Sequence, residues 1–194
     1  MRLLPVLCAA ALVALAPSPS HANWVYGQTV DKFNDLTRKI ATIESAPVPT
    51  GDPARPLKVV LRVREEPPGR GVSVWFTLSG GQWAENCDFN IMMRFDDEKP
   101  RQFWTSCSTD RDSQIFFIPS QRGYSSYSDR DHYAEYFVER VRAAKRLRLQ
   151  ASIYRAGTNV FEFAFDEPLK IAVPAPKATT NPQQRKPASQ AMGE

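Results

Sequence analysis

Pro56-Leu-Lys-Val-Val-Leu-Arg-Val-Arg64 alternates apolar and basic residues, the period of a β-strand with one buried and one wet face. Gly71-Val-Ser-Val-Trp-Phe-Thr-Leu78 repeats the alternation, with Val72, Val74, Phe76 and Leu78 on one side. Between them, Glu65-Glu-Pro-Pro-Gly-Arg-Gly71 has the composition of a turn. The two segments read as a hairpin, and its apolar face must be buried against a second layer.

Further along, Phe89, Ile91, Met93 and Phe95 alternate again. Gln102-Phe-Trp-Thr-Ser-Cys107 follows Asp96-Asp-Glu-Lys-Pro100, and Gln114-Ile-Phe-Phe-Ile-Pro119 follows the polar turn Ser108–Asp112. These segments predict a meander of about five strands in the middle of the chain. From Ser128-Asp-Arg-Asp131 onward the period changes: Tyr133, Phe137, Val141 and Ala144 fall at helical spacing, with Ala134 and Val138 beside them. Arg142, Lys145 and Arg146 gather at the end of that helix, where the carbonyl pole favours cations. Leu147, Leu149, Ala151 and Ile153 then alternate, Arg155-Ala-Gly-Thr-Asn159 turns, and Phe161, Phe163 and Phe165 return as a second hairpin. Arg38-Lys-Ile-Ala-Thr-Ile-Glu44 is a fainter strand candidate. The expected fold is mainly β: an antiparallel β-sandwich with one amphipathic α-helix on an edge or end.

The N-terminus carries Arg2, then the apolar run Leu3–Ala16, too short to cross a bilayer, then Ser20-His-Ala22 with small residues where a signal peptidase reads. Residues 1–22 read as a cleaved signal peptide with the periplasm as destination, and no later segment is apolar enough to span a membrane. Residues 23–172 form the expected secreted β-sandwich domain. Residues 173–194, rich in Pro, Ala, Thr, Gln and Lys, read as a disordered tail. The formal charge is +4. Arg2 leaves with the leader, and Lys177, Arg185 and Lys186 outweigh Glu194 in the tail, so the domain stands near +1. That balance argues against nucleic acid as a partner, because counterion release needs concentrated basic residues.

Cys87 and Cys107 remain after export. In an oxidising compartment an even pair is most simply a disulfide, and closing a loop of about 20 residues stabilises by roughly 3 kcal/mol. Free thiols for redox or metal chemistry would lack both CxxC spacing and histidines, since His132 is the sole mature one.

Asp96-Asp-Glu98 raises the question of a cation site, but calcium needs about six oxygens from spaced positions. Adjacent acids before Lys99-Pro100 fit a hairpin turn better, with Arg94 as a carboxylate partner. No catalytic, metal or cofactor residue is assigned. His132 has no serine in a strained glycine-flanked turn to activate, and it reads as a solvent-facing helix residue. Glu85, Asp88 and Glu162 would be the carboxylates of a glycan-cleaving alternative. The candidate partner-binding residues are Tyr124, Tyr127 and Arg122, in the Ser-rich loop Ser120–Asp129, a composition of contact surfaces that also suits a flexible lead-in to the helix. The basic run Arg140–Arg148 reads as a solvated helix face and cap, with anionic lipid or glycan as the alternative.

The order of Leu61-Arg62, Gly80-Gly-Gln-Trp83, Arg94-Phe-Asp-Asp97, Phe103-Trp-Thr-Ser106, Ala144-Lys-Arg-Leu147 and the last Phe-rich strand resembles the periplasmic accessory proteins associated with type VI secretion, the VasI/TagO type. Trp24 and Asp31-Lys-Phe-Asn-Asp35 fit that pattern, and the likeness runs over most of residues 24 to 171. Two departures are a longer Ser120–Asp131 loop and Val63 where such proteins often carry a cysteine. Domains of the invasion-associated locus B type are similar more loosely. The resemblance implies a small β-sandwich with one helix, exported, non-enzymatic, and acting through protein partners in the cell envelope. The rival expectation is a hydrolase or inhibitor-like protein acting on cell-wall glycan.

Overall fold

The structure is a computed structural model and describes residues 23–52, 54–67, 71–84, 89–107, 112–119 and 133–172. Its strands are β1 (Val25–Asp31), β2 (Leu36–Glu44), β3 (Lys58–Glu65), β4 (Val72–Ser79), β5 (Asn90–Phe95), β6 (Arg101–Trp104), β7 (Ser106–Cys107), β8 (Ile115–Ile118), β9 (Arg146–Ile153) and β10 (Gly157–Ala164). The helix α1 spans Ala134–Ala143. Two antiparallel sheets form a sandwich, with strand orders β1-β2-β3-β4-β8-β7 and β10-β9-β5-β6. No described helix is long and apolar enough to cross a membrane. The expected leader and tail, residues 1–22 and 173–194, lie outside the described residues.

The alternation that predicts β3 and β4 is realised. Val59, Leu61, Val63, Val74, Phe76 and Leu78 are buried, while Lys58, Arg62, Arg64, Ser73 and Trp75 lie on the other face. The two strands pair from Lys58↔Ser79 to Glu65↔Val72. From the opposing sheet come Ile91, Met93, Phe95, Phe103, Leu147, Leu149, Phe161 and Phe163. Aromatic rings knit the layers together. Phe76 stacks on Phe116 at 4.9 Å within its own sheet and meets Phe163 of the other sheet edge-on at 6.5 Å.

The expected five-strand meander is not what forms. β3 and β4 stay in one sheet, β5 and β6 pair in the other, and β8 returns beside β4. Two short segments carry the chain between layers. At the first, Gly80 adopts φ +85°, and a Cβ there would lie 2.8 Å from the Pro56 carbonyl oxygen. Only glycine meets both demands without strain. Three residues on, Trp83 bridges to Ile153 of β9, donates from its indole N–H to the Gln114 carbonyl at 2.9 Å, and packs on Phe116 and Phe161, one from each sheet. At the second, the predicted strand over Gln102–Cys107 breaks at Thr105, which is fully buried. Its N–H and hydroxyl both donate to the Phe89 carbonyl, at 2.9 and 2.7 Å, so the polar groups freed by the break stay satisfied.

Helix α1 closes one end of the sandwich. Ala134, Phe137, Val138 and Val141 form its buried stripe, the spacing read from the sequence. Phe137 sits against Phe76 of one sheet at 5.7 Å and against Phe95 and Phe103 of the other at 5.8 and 6.0 Å. Tyr133 takes the N-cap position and makes no side-chain cap bond. The expected acidic lead-in, Ser128–Asp131, lies outside the described residues, as does His132.

Gly80→Ala is expected to lower stability by about 1–3 kcal/mol through left-handed strain alone, with the clash against Pro56 adding to it. Urea unfolding checks this: the midpoint falls while the slope stays that of the parent protein.

Candidate interaction surface

β2 is nine residues long, yet only Ile40–Glu44 pair with β3. β1 pairs with β2 over its own whole length, from Val25↔Thr42 to Asp31↔Leu36. The outer part of this hairpin therefore runs past the end of its own sheet. Its root is fixed by Trp24, which stacks on Phe165 at 5.6 Å, and by the Tyr26 hydroxyl, which accepts from the Lys170 N–H at 3.0 Å.

The far part is fixed by charge. Arg38 joins Asp31 at 3.2 Å to Glu66 at 3.4 Å. Glu66 in turn accepts from Arg64 and from the Ser73 hydroxyl, and Arg64 lies over the Trp75 ring at 5.4 Å. At the tip the Asp31 carboxylate accepts from the Phe33 N–H and the Asn34 side chain, each at 3.0 Å, and Asp35 turns the chain at φ 51°. This braced frame presents apolar side chains to water: Phe33 is 93 % exposed, Val25 69 % and Val30 61 %, with Tyr26 and Leu36 also exposed. Five of the eight exposed large apolar residues described in the chain belong to this one hairpin. Such clustering marks contact surfaces, whereas single exposed apolar residues need no explanation.

The edge of β1 is open as well. Among the described residues no backbone hydrogen bond reaches its far side, and its seven residues include neither lysine nor proline, two common guards of free edges.

Asp96, Asp97 and Glu98 form the expected turn between β5 and β6, but the turn also grips the helix exit. Asp96, at φ 46°, accepts from the Lys145 and Arg146 N–H groups, both at 2.9 Å, and returns its own N–H to the Arg146 carbonyl. Asp97 meets Arg146 at 3.4 Å and the expected Arg94 at 3.8 Å. Glu98 pairs with Arg140. Glu162 lies between Arg146 and Arg148, at 3.6 and 3.4 Å, and Arg142 donates to the Leu169 carbonyl. The arginines of the basic run are thus engaged within the fold.

Tyr124, Tyr127 and Arg122 lie outside the described residues, as do Glu85, Cys87 and Asp88. Cys107 is disulfide-bonded. No family model, no curated protein and no solved structure matches the chain.

Two measurements probe these contacts. Asp96→Ala removes an ionised acceptor from two N–H groups and places alanine in a left-handed conformation. It is expected to cost about 2–4 kcal/mol, and Asp96→Asn less than half of that, because asparagine keeps an acceptor and tolerates the backbone angle. Denaturant midpoints of the two variants check the ranking. The Asn34 side-chain amide, then the Phe33 N–H, hold the Asp31 carboxyl below the ordinary aspartate range, with Arg38 adding to the effect. A folded-state pKa that is depressed gives stability that is complete above the unfolded value and is lost as pH falls through the folded one. The Phe33 and Asn34 amide resonances are therefore expected to stay fixed from neutrality down to about pH 4 and to shift together below it.

Proposed function

We propose that this chain is a non-enzymatic interaction module of the bacterial periplasm, an accessory of a secretion or envelope assembly that engages a protein partner through the β1–β2 hairpin. The observation that carries this reading is the gathering of exposed Val25, Tyr26, Val30, Phe33 and Leu36 on one braced hairpin beside an open strand edge. An extended segment of a partner adds to such an edge by main-chain hydrogen bonds and takes specificity from neighbouring side chains. Exposed Phe33 and Val30 supply those side chains here.

The likeness of the motif order to VasI/TagO-type accessory proteins supports the same class of role. Export through residues 1–22 suits a chain whose Cys107 is oxidised, with Cys87 as its proposed partner. Tyr124, Tyr127 and Arg122 are a second proposed contact. Against the glycan-cleaving alternative stands the setting of Glu162, whose carboxylate is shared by Arg146 and Arg148 on the outer face of its sheet.

Phe33→Asp combined with Val30→Lys is expected to weaken capture of the partner from an envelope fraction by at least about tenfold, since truncating central interface anchors commonly removes 2 kcal/mol or more. Both side chains are solvent-exposed, so the unfolding midpoint should move by no more than about 0.5 kcal/mol equivalent. Quantitative crosslinking of parent and variant reads the first, and thermal unfolding the second. Equal capture would remove the hairpin from the proposal.

A further inference from the structure

The free edge of β1 also carries a register. An antiparallel pair related by a two-fold axis must place that axis on a residue paired with itself, because hydrogen-bonded and non-hydrogen-bonded pairs alternate along the ladder. β1 has seven residues, Val25-Tyr-Gly-Gln-Thr-Val-Asp31, and its midpoint is Gln28. With the axis on Gln28, all seven positions pair with those of a second copy. Any other axis leaves at least two positions unmatched.

The side chains brought together in that register are compatible. Tyr26, Gln28 and Val30 share one face, opposite Ala41, Lys39 and Thr37 of β2. Across the axis Tyr26 meets Val30 twice, an aromatic and β-branched pairing that strengthens sheets, and both residues are exposed in the single chain. Gly27 meets Thr29, and Val25 meets Asp31. Asp31 is the one charged residue of the strand, so like charges never face each other. Beyond the strand, Phe33 falls level with Asn23 of the second copy, next to its exposed Val25.

From this we infer that β1 pairs edge to edge with β1 of a second copy around Gln28, joining two six-stranded sheets into one. The inference rests on the reading of the hairpin as a contact surface; β1 has one open side, so pairing with a second copy excludes an extended segment of an envelope partner from that edge at the same time. The contact is narrow, a strand edge and two hairpin tips, so the dimer is of the weak, concentration-dependent kind.

The mature chain, residues 23–194, tests this by sedimentation equilibrium over a wide concentration range. Gln28→Lys and Gln28→Glu each place like charges face to face on the axis, and each is expected to weaken self-association about fivefold. An equimolar mixture of the two variants is expected to associate at least as well as the parent. Gln28→Cys is expected to form an intermolecular disulfide without reductant, because directly opposed residues lie within bridging distance. A parent chain that stays monomeric at about 0.5 mM overturns the inference. So do Gln28→Lys and Gln28→Glu variants that associate as the parent does. A monomeric parent whose hairpin variants still lose partner capture would sink the dimer and leave the heterologous partner standing.

Discussion

The fold depends on one aromatic ring held by both sheets. Phe137 leaves the helix between Phe76 on one side and Phe95 and Phe103 on the other, filling the end of a gap of about 10 Å that two packed sheets leave between their backbones. Its position follows from bonds made elsewhere. The β5–β6 turn binds Lys145 and Arg146 through Asp96 and binds Arg140 through Glu98. The same turn that joins two strands therefore also holds the helix where it ends. Packing and polar contacts thus meet at one end of the sandwich, the turn holding the exit of the helix whose ring fills the gap.

Strand positions were legible because burial of one face imposes a period of two, and β3, β4, β5, β9 and β10 all have such a face. The stripe of α1 was legible for the same reason at helical spacing. What a period of two does not reveal is the layer that a strand joins. Alternation in β5 looks the same whether β4 or β9 lies beside it, and the structure places β9 there. The switch of layers is decided by residues with no periodicity: Gly80, where a side chain would strike Pro56, Trp83, whose ring touches both sheets, and Thr105, whose two donors share one carbonyl. These were visible in the chain as a glycine pair, an aromatic and a lone threonine, without a pattern to say what they do.

The hairpin was the least legible part. Only Trp24 and the end of β2 have a buried side, so Val25-Tyr-Gly-Gln-Thr-Val-Asp31 carries no alternation to betray a strand. Its formation is secured from outside, by the Trp24 stack at the root and by the chain of charges from Asp31 through Arg38 and Glu66 to Arg64. The acids at 96–98, ahead of Lys99-Pro100 and with Arg94 nearby, have the composition of a turn, and a turn is what they form. Their bonds to the helix exit join residues about fifty positions apart, a separation at which sequence spacing carries no information.

The four edges of the two sheets are treated differently. β10 receives the Ala46 N–H on its Glu162 carbonyl at 2.8 Å, so the segment after β2 covers part of it. β7 is two residues long, and β6 has four before the chain leaves its sheet at Thr105. Short or covered edges resist unwanted pairing. β1 runs seven residues and, among the described residues, has no backbone bond on its outer side, and its bracing holds it in extended form with Phe33 at the tip. A phenylalanine 93 % exposed adds almost nothing to folding stability, since the transfer of its ring from water has not taken place. A polar residue would serve the fold equally well and lessen the hazard of aggregation. The combination of a braced frame, an unguarded edge and apolar side chains without a folded-state role is thus poorly accounted for by the stability of the single chain, and well accounted for if that surface is buried against another protein.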